Sequence, residues 1–118
     1  MRKLRTLDLL KSSKLIKNYE IIDFKKGEDF YYLKAKDEII DGSLLYIKEY
    51  ISENEYLYSY HWQDTVGKII VRWDNAPHHK KIKTYPHHTH QNGIKESKIK
   101  DFKDILILIK KIIEKGIG

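Results

Sequence analysis

The chain has 118 residues, of which 41% are apolar, 34% charged and 12% aromatic, with a formal net charge of +6 and no cysteine. This describes one folded domain, residues 1–118, with a modest core. It excludes a disordered polymer and, with no apolar run near the roughly 18 residues needed, a transmembrane helix. The missing cysteines exclude disulfides, thiolate metal sites and a cysteine nucleophile, and they fit a cytoplasmic protein.

Met1-Arg2-Lys3-Leu4-Arg5 is basic but lacks the apolar stretch and cleavage site of a signal peptide. Leu4, Leu7 and Leu10 recur at helical spacing, which predicts a short helix over residues 4–13. Strand-like stretches follow at 17–24, 30–39, 43–51, 55–63 and 68–74, separated by Lys26-Gly27-Glu28-Asp29, Asp41-Gly42, Ser52-Glu53-Asn54 and Asp64-Thr65-Val66-Gly67. Five short strands in succession read as an antiparallel meander. The fourth places Tyr56, Tyr58, Tyr60 and Trp62 on one face and Leu57, Ser59, His61 and Gln63 on the other. Whether His61 shares a face with Arg72 depends on the next turn. A three-residue loop at 65–67 sets His61 opposite Val71, whereas a two-residue loop sets it opposite Ile70 and brings Arg72 onto its face.

Residues 75–98 have no clean period and read as a long loop with room for a short extended piece. Asp101 then caps a helix running to residue 115. Its stripe is Phe102, Ile105, Leu106, Ile109, Ile112 and Ile113, and Gly116 ends it. The expected fold class is therefore α+β: a short N-terminal helix, a five-stranded antiparallel meander, and an amphipathic C-terminal helix packed on one sheet face.

Charge and chemistry are both unevenly placed. Residues 1–75 carry 13 basic and 13 acidic side chains, whereas 76–118 carry 10 lysines and 4 acids, which is the whole excess. Such a region attracts phosphate backbones or an acidic partner. All six histidines lie between His61 and His90, together with both tryptophans and both prolines. Imidazole changes charge near neutral pH, serves as general acid or base, and ligates metals.

Three chemistries compete for this window. Two histidines with Arg72 suffice for RNA transesterification, because RNA supplies its own 2′-OH nucleophile. His87, His88 and His90 with Asp74 or His61 form a permissive metal set, although their spacing matches no specific signature. The window also reads as a rigid loop whose histidines and aromatics pack or contact a partner. Asp74 and Asn75 at a strand end are commonly only a turn, and Trp62 and Trp73 read as core or pocket wall. No glycine-rich phosphate loop is present.

Tyr58-Ser59-Tyr60-His61-Trp62-Gln63, Arg72-Trp73-Asp74-Asn75-Ala76-Pro77-His78-His79 and Pro86-His87-His88-Thr89-His90 resemble the TumE-like family, toxins of prokaryotic toxin–antitoxin pairs. Asp41-Gly42-Ser43 and Lys48-Glu49-Tyr50 are similar to it as well, so the resemblance spans roughly residues 8–110. It implies a small cytoplasmic toxin encoded beside an antitoxin, commonly a helix-turn-helix protein called TumA. No family mechanism carries over residue by residue. The histidines, and the frequency of nuclease activity among small toxins, lead us to expect a metal-independent ribonuclease. Its site would comprise His61, Arg72, Asp74, His78, His79, His87 and His88, with Asp74 orienting a histidine through a hydrogen bond. RNA is the expected substrate, with no cofactor, metal or membrane. The antitoxin is expected to cover the basic, histidine-rich face. A non-catalytic protein- or nucleic-acid-binding module and a metal-dependent enzyme are the alternatives.

Overall fold

A computed structural model describes residues 6–75 and 101–115, and the backbone of 88–90 and 94–96. The elements in chain order are α1 (Thr6–Ser12), β1 (Ile16–Lys26), β2 (Phe30–Ile39), β3 (Leu44–Ser52), β4 (Tyr56–Gln63), β5 (Ile69–Asp74), β6 (His88–His90), β7 (Ile94–Glu96) and α2 (Phe102–Glu114). These strands lie in one antiparallel sheet in sequence order. The expected five-stranded meander and its two flanking helices are present. Within the stretch read as a loop, β6 and β7 extend the meander by three residues each.

Period-2 alternation decides the two faces. Tyr31, Leu33, Ala35 and Ile39 of β2, Leu45, Ile47 and Ile51 of β3, and Tyr58, Tyr60 and Trp62 of β4 are buried together with Val71 and Trp73 of β5. α2 covers this face through Phe102, Ile105, Leu106 and Ile109, with the Phe102 ring 5.8 Å from that of Tyr60. Asp101 caps α2 as expected, its side chain accepting from the Asp104 amide. Trp62 and Trp73 belong to the core, and the Trp62 indole donates to Ser43 Oγ at 2.7 Å.

The turns follow their residues. At Asp41-Gly42 the glycine adopts φ +89° and Asp41 Oδ1 accepts from the Ser43 amide. The β4–β5 turn closes with the Asp64 amide donating to Lys68 O. Asp64 Oδ1 accepts from the amides of Val66 and Lys68, and Gly67 sits at φ +90°.

Two acids lie on the buried face. Glu49 accepts hydrogen bonds from the hydroxyls of Tyr31 and Tyr60, and Tyr60 in turn contacts Tyr56. Burial raises its carboxyl above the usual range despite those donors. Asp37 is fully buried, and neither of its oxygens has a hydrogen-bond partner among the described residues. Desolvation, reinforced by the nearby Glu49 charge, pushes its pKa up to about 8.

Candidate functional site

The opposite face of the sheet is built from the polar phase of the same strands. Cross-strand pairing aligns its residues into rungs, and directly opposed side chains share a face with Cβ atoms roughly 4.5–5.5 Å apart. One rung runs Lys36, Tyr46, His61 and Arg72, and the backbone of His90 pairs with its end. Its neighbour runs Lys34, Lys48, Ser59 and Asp74, and the backbone of His88 pairs with its end. A third carries Tyr32, Tyr50 and Leu57.

The pairing of His61 with Arg72 matches neither register considered from the sequence. The loop is the three-residue one, with Gln63 opposite Ile69, but a bulge at Ile70 then sets Trp62 opposite Val71. That extra residue restores the parity that the loop alone would have broken.

His61 is half-buried. Its Nε2 lies 3.1 Å from Gln63 Oε1, and in the tautomer that donates this hydrogen bond Nδ1 is the acceptor. Tyr46 packs edge-on against the imidazole at 6.0 Å. Arg72 is half-exposed, and its Nε lies 3.5 Å from Oδ2 of the buried Asp74. The carboxylate thus steadies the guanidinium two residues earlier on the same strand face. Among the described residues the Asp74 carboxylate pairs with Arg72, and the Asp74 backbone lies opposite that of His88.

A cavity of about 260 Å³ opens beside these groups, walled by Tyr32, Tyr50 and Lys48 and bounded by Ser59, Arg72 and Asp74. His61 lies opposite Arg72 on the same rung, outside the cavity lining. Asn75 has a structural role. Its Oδ1 accepts from the Tyr58 amide at 2.8 Å and its Nδ2 donates to Tyr56 O, tying the end of β5 to β4. Of the expected site residues, His61, Arg72 and Asp74 are brought together, and the backbone of His88 joins their rungs. His78, His79 and His87 lie outside the described residues.

Sequence reasoning missed Lys34, Lys36 and Lys48, with Tyr32, Tyr46 and Tyr50 between them. The signal was present in the alternation. Residues 1–75 are charge-balanced only in total, since Asp37 and Glu49 fall on the buried face while these lysines fall on the open one. Lys36 lies 6.0 Å from the Tyr46 ring centre and Lys25 5.9 Å from that of Tyr32. Cations interleaved with aromatic rings in this way suit a phosphate backbone and unstacked bases. Among the described residues, no group of three histidine or acidic side chains is placed to hold a metal ion, and no helix is long and apolar enough to cross a membrane.

These features describe a small α+β protein with a covered core face and an open basic, aromatic face. The family profile described as toxin TumE matches residues 6–117. The chain therefore belongs to the TumE family of toxins, and such a toxin has an antitoxin as partner. Neither the curated proteins nor the solved structures contain a match.

Proposed function

We propose that this protein is a metal-independent endoribonuclease toxin, acting as one domain in the prokaryotic cytoplasm and neutralised by a helix-turn-helix antitoxin of the TumA kind. The observation that carries this reading is the rung on which His61 lies opposite Arg72, next to the Asp74 ion pair, on a face lined with lysines and tyrosines. Single-stranded RNA would lie along that face with its phosphates on Lys34, Lys36 and Lys48 and its bases against Tyr32, Tyr46 and Tyr50.

The chemistry needs one base and one acid. His61 Nδ1, the acceptor in that tautomer, takes the proton from a ribose 2′-OH, and O2′ forms a bond to the adjacent phosphorus. Arg72, held by Asp74, carries the added charge on the phosphorane. The P–O5′ bond breaks, and a second histidine from His78, His79, His87 or His88 gives its proton to the departing oxygen. The products are a 2′,3′-cyclic phosphate and a 5′-OH.

The test is cleavage of RNA by the purified protein in the presence of EDTA, with sequencing of the ends and a growth assay on induction. Cyclic phosphate ends, a bell-shaped pH–rate profile and a loss of about 10²-fold or more in His61→Ala and in Arg72→Ala are expected, with unchanged circular dichroism. Both variants as active as the parent, or a parent that neither cleaves RNA nor arrests growth, would refute the reading.

A further inference from the structure

On the other side of the sheet, the helix layer contains a feature that RNA cleavage does not use. An apolar groove of about 440 Å³ runs between α1, the β2–β3 turn and α2, lined by Leu9, Leu15, Ile40, Leu106, Ile107 and Ile113. Ile40 is 56% and Ile107 44% exposed. These residues arise from a second stripe on α2: positions 103, 106, 107, 110, 113 and 114 recur at helical spacing beside the core stripe of Phe102, Ile105 and Ile109. Core packing accounts for the first stripe and leaves Ile107 to solvent.

The rim identifies the occupant. Lys14, Lys103 and Lys110 border the groove, opposed by Glu114 alone among the described charged residues that line it. A second copy of this chain would bring the same lysines against them and be repelled. An acidic, amphipathic helix would meet both the apolar floor and the basic rim. The stretch of α2 involved is about 16 Å long, which matches about three turns of a partner helix. The volume is roughly three times the 150 Å³ or so that holds one benzene-sized group, so it accommodates about three large apolar side chains.

We propose that this groove is the anchoring site for an amphipathic helix of the antitoxin, with leucine-like residues on one face and acids flanking them. The anchor lies on the face away from His61 and Arg72, so it complements any antitoxin contact with the basic, histidine-rich face. It rests on membership of a toxin family and on the groove, and is independent of the ribonuclease reading.

The test titrates the full-length protein into a labelled synthetic amphipathic helix carrying leucines on one face and glutamates on its flanks. A twin peptide with lysines in place of the glutamates serves as the comparison, and both are followed by fluorescence anisotropy. The glutamate peptide should bind at least about tenfold more tightly than the lysine peptide. Ile107→Asp, and separately the surface pair Lys103→Glu with Lys110→Glu, should each weaken it by at least about tenfold while the circular dichroism spectrum and Tm stay at the parent level. Amide shifts should map to residues 9–15, 40 and 103–114. Absence of binding, equal affinity for the two peptides, or indifference to the groove variants would overturn the proposal. So would a loss of peptide affinity in Lys48→Glu in place of the groove variants, or self-association abolished by Ile107→Asp.

Discussion

Replacing Asp37 by asparagine probes the least expected group in the core. The native carboxyl is fully buried with neither oxygen hydrogen-bonded among the described residues, and its pKa rises from an ordinary 3.8 to about 8. Below the lower value it is protonated in the folded and the unfolded chain alike, and its full contribution to stability is present. Between the two values the unfolded chain releases the proton while the folded protein keeps it, so stability falls as pH rises, by about 1.4 kcal/mol per unit. From pH 5 to pH 7 the loss from this one group is about 3 kcal/mol, or roughly 10 °C in Tm for a chain of this size. Asparagine is nearly isosteric and has no proton to release. The stability of Asp37→Asn relative to the parent should therefore rise by about 3 kcal/mol over that interval, as measured by urea unfolding at the two pH values. Parallel behaviour of parent and variant across pH 5 to 7 would show that the carboxyl ionises normally and that the burial argument is wrong.

Other consequences are more local. Asn75→Ala removes two hydrogen bonds that tie β5 to β4 and should cost about 2–4 kcal/mol in the same unfolding assay, because it leaves the Tyr58 amide and Tyr56 carbonyl without their partner. Gly67→Ala meets no described atom closer than 4.0 Å but must hold φ +90°, so a loss of about 1 kcal/mol is expected. Gly42→Ala carries the same backbone strain at φ +89° and also sets its Cβ 3.2 Å from Thr65 Cγ2, so its denaturation midpoint should fall further than that of Gly67→Ala.

The alternation of residues 30–63 made the strands and their core face legible, because a half-buried sheet imposes a period of two that few other structures share. α2 was readable from its cap and its apolar stripe for the same kind of reason. The parts that escaped depend on information outside any one element. The Ile70 bulge cannot be inferred from turn chemistry, since Thr65-Val66-Gly67 is an acceptable loop with or without it. Asp37 and Glu49 occupy the buried phase of their own strands, Tyr31-Leu33-Ala35-Asp37 and Leu45-Ile47-Glu49-Ile51, and that phase was the available signal. Composition counts them as ordinary surface charges and so hides the basic character of the other face. His61, Arg72 and Asp74 were identifiable as residue types, but their assembly was not, because it rests on register. Asn75 reads as a turn residue in the sequence; its side chain is instead a clamp on the backbone of the neighbouring strand.

The bulge at Ile70 also ties heredity to architecture. Ile70 is a spare residue: its deletion would straighten β5 and keep Gln63 opposite Ile69, Trp62 opposite Val71 and His61 opposite Arg72. A deletion that left the bulge in place would instead turn Arg72 and Asp74 towards α2 and Trp73 towards solvent, burying a guanidinium and expelling an indole. A lineage can therefore shorten this hairpin by one residue at the bulge and keep both fold and site, whereas a loss of activity that spares the fold must come from exchanging side chains on the open face.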